Sequence, residues 1–138
     1  MLSIDKITTS PEETSLYAKS LVSVFNPGCI YGFEGEIASG KTTFIKGILS
    51  GLDFKGMVNS PTYTLINEYE AKKKVIHIDC YREKNIKRWI QLGIIEYFNS
   101  NSIILIEWPE VINTILPKNV VYINFENIDI NKRRIRSI

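Results

Sequence analysis

The sequence predicts an α/β fold: a central, mostly parallel sheet that carries an antiparallel hairpin and has helices on both faces. Three observations predict it. A glycine-rich turn, Gly35 to Thr42, sits between an apolar run and a helix-forming one. Residues 102–107, SIILIE, form a short and nearly continuous apolar stretch, as in a parallel strand buried on both faces. Two extended segments, 62–69 and 75–81, are joined by the charged stretch 70–74, which reads as a hairpin.

The elements follow in order. Ser10 is placed to cap a helix, Pro11 suits its first position, and Glu13 would complete a capping box. Leu16, Leu21, Val22 and Phe25 give that helix an apolar stripe, which Asn26-Pro27-Gly28 ends. A strand is expected at 29–34, then the glycine loop, then a helix to about Gly51. A polar loop covers 53–61, followed by the hairpin and a short helical region over roughly 86–98. The buried strand 102–107 comes next, and 111–116 reads as a short helix stopped by Pro117. Residues 120–125 and 132–138 read as the last two strands. There is no repeat, low-complexity stretch or linker, so a single domain over 1–138 is expected.

Composition excludes little. Apolar residues make 44% and charged residues 23%, and the net charge of +2 neither requires nor excludes a nucleic-acid partner. Cys29 and Cys80 have no metal-type spacing and read as buried free thiols. The first residues lack an apolar signal core and no apolar run approaches a membrane span, so a cytoplasmic protein without membrane contact is expected.

The chemistry starts at the glycine loop. Gly35-x-x-x-x-Gly40-Lys41-Thr42 matches the Walker A pattern in full. Glycines let backbone N–H groups turn around phosphate oxygens, and the following helix points its positive end at the same anion. Lys41 would meet the β- and γ-phosphates, and Thr42 would offer its hydroxyl to Mg²⁺. Strand before and helix after is the context the motif requires, so a P-loop NTPase fold is expected. Carboxylates are needed nearby. Glu107 and Asp79 each end an apolar strand, where ligands of open α/β sheets sit. Glu107 would hold the metal, and Asp79 would hold metal-bound water or orient the attacking one. The loop 59–64 lies where segments ordered by a γ-phosphate occur, and Thr62 or Thr64 is its candidate contact.

GEIASGKTTFIKGI, NSPTYTLINEY, HIDCYR, LGIIEYF and LIEWPE, in that order and spacing, resemble the TsaE (YjeE) family. The resemblance covers roughly residues 10 to 136. It implies a small P-loop ATPase using ATP and Mg²⁺, weak alone. Its partners would be the subunits that transfer threonylcarbamoyl to adenosine 37 of tRNAs reading ANN codons; direct contact with tRNA is left open. By the same resemblance Thr42 and Glu107 fall on metal positions, and Ala38, Ser39, Gly40, Lys41, Thr42 and Thr43 on the phosphate-binding loop. Asp79 falls on a site needed for hydrolysis, Thr62 on a switch-like loop, and Pro11 and Arg133 on segments flanking the nucleotide. Two stretches depart from the family pattern. Ala38-Ser39 replaces a Gly-Ala pair, and Asn85 to Trp89 is basic and aromatic where the family is acidic.

Other signals are weaker. His77 reads as a strand residue, and Trp89 and Trp108 as packing, with Trp108 placed to shield Glu107. The basic tail 132–136 reads as a solvated edge strand or a tRNA footprint. A small-molecule kinase would share the cradle but needs an arginine-rich lid, and no segment reads as one unless Arg82, Arg88, Arg133 and Arg134 assemble it. A GTPase would need an Asn-Lys-x-Asp reader, and Asn131-Lys132-Arg133-Arg134 lacks the acid. A nucleotide-gated binding module without turnover would keep Lys41 and Thr42 but not need Asp79.

Overall fold

The computed structural model describes residues 2–58 and 64–138. The element order is β1 (Asp5–Thr8), α1 (Pro11–Ser20), β2 (Ile30–Gly35), α2 (Lys41–Gly51), β3 (Ile66–Tyr69), β4 (Val75–Asp79), α3 (Ile86–Gln91), α4 (Ile94–Phe98), β5 (Ile103–Glu107), β6 (Val121–Asn127) and β7 (Arg133–Ser137). The strands form one sheet in the order β1-β7-β6-β2-β5-β4-β3. Its centre, β6-β2-β5-β4, is parallel; β3 pairs antiparallel with β4, β7 with β6, and β1 with β7. This is the expected α/β architecture, with the hairpin formed by β3 and β4.

The alternation of strand side chains builds two apolar layers. Tyr31, Phe33, Val75, Ile103 and Leu105 pack on the α1 and α2 side with Phe44, Ile45 and Ile48. Ile30, Ile76, Ile78, Ile104 and Ile106 face the other side, with Trp89, Ile94 and Phe98. All five residues of β5 are buried, as its unbroken apolar run requires. The helical region 86–98 is two short helices, interrupted at Gly93. The segment after β5 is a 3₁₀ helix, Pro109–Ile115.

Three expectations need correction. Leu16 does not belong to the buried stripe: it is 67% exposed, whereas Leu21, Val22 and Phe25 of that stripe pack on the core and α1 itself buries Thr14 and Ala18. Helix α2 comes close there, since a Cβ on Gly47 would lie 2.4 Å from the Ser15 carbonyl oxygen and 2.8 Å from Ala18 Cβ. Two helices that approach so near leave room for small residues, not for leucine. The capping box is half formed. Ser10 Oγ accepts from the Glu13 N–H at 3.0 Å, but the Glu13 carboxylate takes a hydrogen bond from the Thr9 hydroxyl. The tail strand β7 is not an edge, because β1 pairs along it from Asp5–Arg136 to Thr8–Arg133. Arg134 meets the Asp5 carboxylate through two nitrogens, at 3.1 and 3.0 Å.

Candidate functional site

The site lies beyond the carboxyl ends of β2, β4 and β5. Strands β4 and β5 are paired so that Asp79 stands beside Glu107, and β2 delivers the glycine loop next to them. Strand parity sets the direction. Asp79 and Glu107 share their face with Val75, Ile103 and Leu105, which is the α2 side. The two acids therefore point towards the start of the helix that carries Lys41 and Thr42.

The loop turns into α2 at Gly40, whose φ of 100° is a left-handed conformation open to glycine. Ala38 is also left-handed, with φ 62°. This is the position where the glycine-poor loop departs from the family pattern, and the backbone keeps the conformation that glycine adopts freely. The Ala38 carbonyl accepts from Arg133 Nη2 at 3.1 Å. Arg133 Nη1 donates to the carbonyls of Asp129, Ile130 and Lys132, so the β6–β7 turn is tied to the loop.

The side chains converge. Thr42 Oγ1 donates to Glu107 Oε1 at 3.1 Å, with Oε2 at 3.4 Å. The Walker A hydroxyl and the strand-end acid thus meet. Lys41 Nζ donates to the Gly35 carbonyl and lies 3.8 Å from the centroid of the Trp108 ring. Burial holds the Lys41 ammonium below the usual lysine range, against the pull of Glu107. Burial pushes the Asp79 carboxyl up, helped by the nearby Glu107 charge, while the Tyr81 N–H donated to Asp79 Oδ1 opposes this. Trp108 has a left-handed backbone, and its ring also rests on Tyr81, centroid to centroid 4.8 Å. Trp89 is a core residue whose indole N–H donates to the Glu83 carbonyl at 2.8 Å.

Two cavities share the loop as a wall. One of about 380 Å³ is lined by Ser39, Lys41, Thr42, Asp79, Glu107 and Trp108 among others. The second, of about 220 Å³, is lined by Pro11, Thr14, Ala38, Gly40, Thr43 and Arg133 among others. The structure therefore gathers Lys41, Thr42, Asp79 and Glu107 on one side of the loop and Pro11 and Arg133 on the other, with Thr43 lining both cavities. Thr62 lies outside the described residues. The Ser39 hydroxyl is buried in the cavity wall with no hydrogen-bond partner among the described residues. An orphaned donor, a left-handed loop and a hydroxyl–carboxylate pair fit an anion with a small hard cation beside it.

His77 does more than its sequence context suggests. It is a strand residue, as expected, but its Nε2 lies 2.6 Å from Glu107 Oε2. Strand parity is the signal that could have found it: His77 has the parity of Asp79 and stands one pleat deeper, so it faces the same side.

Residues 8–135 match the sequence profile of a family described as threonylcarbamoyl adenosine biosynthesis protein TsaE. The chain belongs to the TsaE family. A TsaE of Bacillus subtilis is 36% identical over 129 residues, spanning 93% of this chain and 80% of that protein. A TsaE of Haemophilus influenzae is 43% identical over 97 residues, spanning 70% of this chain and 61% of that protein. The crystal structure of Bacillus subtilis YdiB superposes with a TM-score of 0.83 at 31% identity, covering 99% of this chain and 84% of that one. YdiB and this chain share the fold whose strand ends form the cavity. No helix among the described residues is long and apolar enough to cross a membrane.

Proposed function

We propose that this protein is a Mg²⁺-dependent P-loop ATPase that supports formation of threonylcarbamoyladenosine at position 37 of tRNAs reading ANN codons. The observation that carries the reading is the 3.1 Å contact of Thr42 Oγ1 with Glu107 Oε1, at the head of α2 and beside Lys41. Membership in a family described by threonylcarbamoyl adenosine biosynthesis supports the pathway.

In this reading the triphosphate occupies the larger cavity, cradled by the amides of residues 38–43, and the nucleoside lies on the Pro11–Arg133 side of the loop. Thr42 and Glu107 are the residues that would hold Mg²⁺. Bound there, the ion would neutralise charge on the β- and γ-phosphate oxygens. Lys41 would leave the Gly35 carbonyl and the Trp108 ring to reach those oxygens. Asp79, beside Glu107 and half buried, would orient the water that attacks the γ-phosphorus as the bond to the bridging oxygen breaks. Slow turnover alone, cytoplasmic location and docking to the threonylcarbamoyl-transfer subunits belong to the same proposal.

The kinase alternative is less well supported. Arg88 lies near Glu83 at 3.9 Å, Arg134 binds Asp5 and Arg133 binds loop and turn carbonyls; of the four, Arg82 lines the larger cavity. Phosphate release from ATP, measured alongside nucleotide binding, tests the proposal. Asp79→Ala and Glu107→Ala should keep nucleotide binding measured without Mg²⁺ and lower hydrolysis by about a hundredfold, with Glu107→Ala also losing the gain in affinity that Mg²⁺ gives. Hydrolysis equal to wild type in both variants would discard the mechanism.

A further inference from the structure

The core of the sheet contains a polar residue that packing does not require. His77 is the chain's single histidine. It is fully buried in β4, between Asn67 on one neighbouring strand and Leu105 on the other, and is flanked in sequence by two buried isoleucines. Leaving a buried polar atom unpaired costs about 1–3 kcal/mol. His77 has such an atom: Nδ1 meets no hydrogen-bond partner among the described residues. An apolar residue would avoid that cost. What histidine gains is the 2.6 Å bond from Nε2 to Glu107 Oε2.

That bond has a geometric consequence. A glutamate side chain has three torsions, and a carboxylate held at one oxygen only can swing. Here Oε2 is held by His77, and Oε1 is the oxygen nearer Thr42, at 3.1 Å. An ionised carboxylate only accepts, so Nε2 is the donor in this bond. We propose that His77 is a positioning residue for the metal–nucleotide site, holding Glu107 by one oxygen so that the other stays aimed at the Thr42 hydroxyl and the cation. The inference rests on the ATPase reading above and adds to it a residue that touches neither nucleotide nor metal.

The test compares wild type with His77→Leu and His77→Gln. Leucine fills the site without a donor; glutamine puts an amide N–H where Nε2–H was. A fluorescent ATP analogue is titrated with Mg²⁺ and again with EDTA. Wild type should bind more tightly with Mg²⁺; no binding in either condition would overturn the ATPase reading itself, separately from the role of His77. His77→Leu should lose about tenfold of the Mg²⁺-dependent gain while its affinity in EDTA stays as in wild type, and His77→Gln should recover most of the gain. In a Glu107→Gln background, His77→Leu should change nothing further. A purely structural histidine gives the opposite pattern: lower thermal stability with the Mg²⁺-dependent gain intact, which would overturn the proposal.

The wild-type protein supplies a second measurement that no variant's folding can compromise. With one histidine, the ring ¹⁵N signals need no assignment. They should show a protonated Nε2, with its signal moving when Mg²⁺ is added to the ATP-bound protein. An Nε2 without a proton, or an Nε2 signal blind to Mg²⁺, would refute the inference.

Discussion

Ala38→Gly should stabilise this protein, although glycine usually does the reverse. The residue has φ 62°, where an L side chain crowds the following carbonyl at a cost of about 1–2 kcal/mol. Glycine removes that cost but gives the unfolded chain more freedom, which offsets about 0.4–1 kcal/mol. The difference leaves a net gain of about 0.5–1 kcal/mol, or a rise of roughly 2–4 °C in Tm for a chain of this size. The hydrogen bond from Arg133 Nη2 goes to the backbone carbonyl and survives the substitution. Urea unfolding read by far-UV circular dichroism, together with thermal melting, supplies the assay. The control is Ala71→Gly, at a residue outside the left-handed region, which should lose about 0.4–1 kcal/mol. If Ala38→Gly destabilised as much as the control, the strain assigned to the loop would be absent. Arg133→Gln should also cost more in the wild-type loop than in the Ala38→Gly background, because the bond helps hold a conformation that alanine disfavours.

Three further outcomes are expected. Lys41→Ala should weaken binding of Mg·ATP by about 10- to 100-fold, the worth of a charge-assisted hydrogen bond, and calorimetric titration showing unchanged affinity would count against the cradle. Asp79→Asn should raise the stability of the nucleotide-free protein at neutral pH while lowering hydrolysis about a hundredfold. Burial raises the Asp79 pKa, so its ionised form disfavours folding above that value, and the variant's advantage should shrink as pH falls through it. A stability loss at neutral pH would contradict this. Asp5 has the opposite sign. Its hydrogen bond with Arg134 holds the carboxyl below its ordinary 3.8, so the pair contributes stability above that pH and loses it as pH falls through the lower folded value. Asp5→Asn should therefore lower the urea midpoint slightly at neutral pH, with the deficit closing in acid; a deficit that persisted at the acid end would refute the pairing.

Much of the fold could be read along the chain because the relevant physics is local. The all-buried β5 shows itself as an apolar run, α1 begins at Ser10-Pro11, and the phosphate loop is written contiguously from Gly35 to Thr42. Strand β1 left no such mark. It has four residues, three of them exposed, and exists because β7 offers it a ladder from the far end of the chain. The same pairing turned the expected edge strand into an interior one. Leu16 departs from its expected burial for a related reason: periodicity identifies a helix but cannot say how near its neighbour lies, and the close approach of Gly47 selects the face with Thr14 and Ala18.

The site divides along the same line. By itself the sequence determined the chemical groups: a glycine loop with its lysine and threonine, two acids at strand ends, and the strand parity that turns them to one face. Only the tertiary structure decided that Thr42 meets Glu107, that Lys41 lies against Trp108, and that His77 grips the carboxylate from behind. Residues 42, 77 and 107 are far apart in the chain, and no local rule relates them. Their contacts follow from the order in which the strands pair, which depends on the whole sheet closing over its two apolar layers.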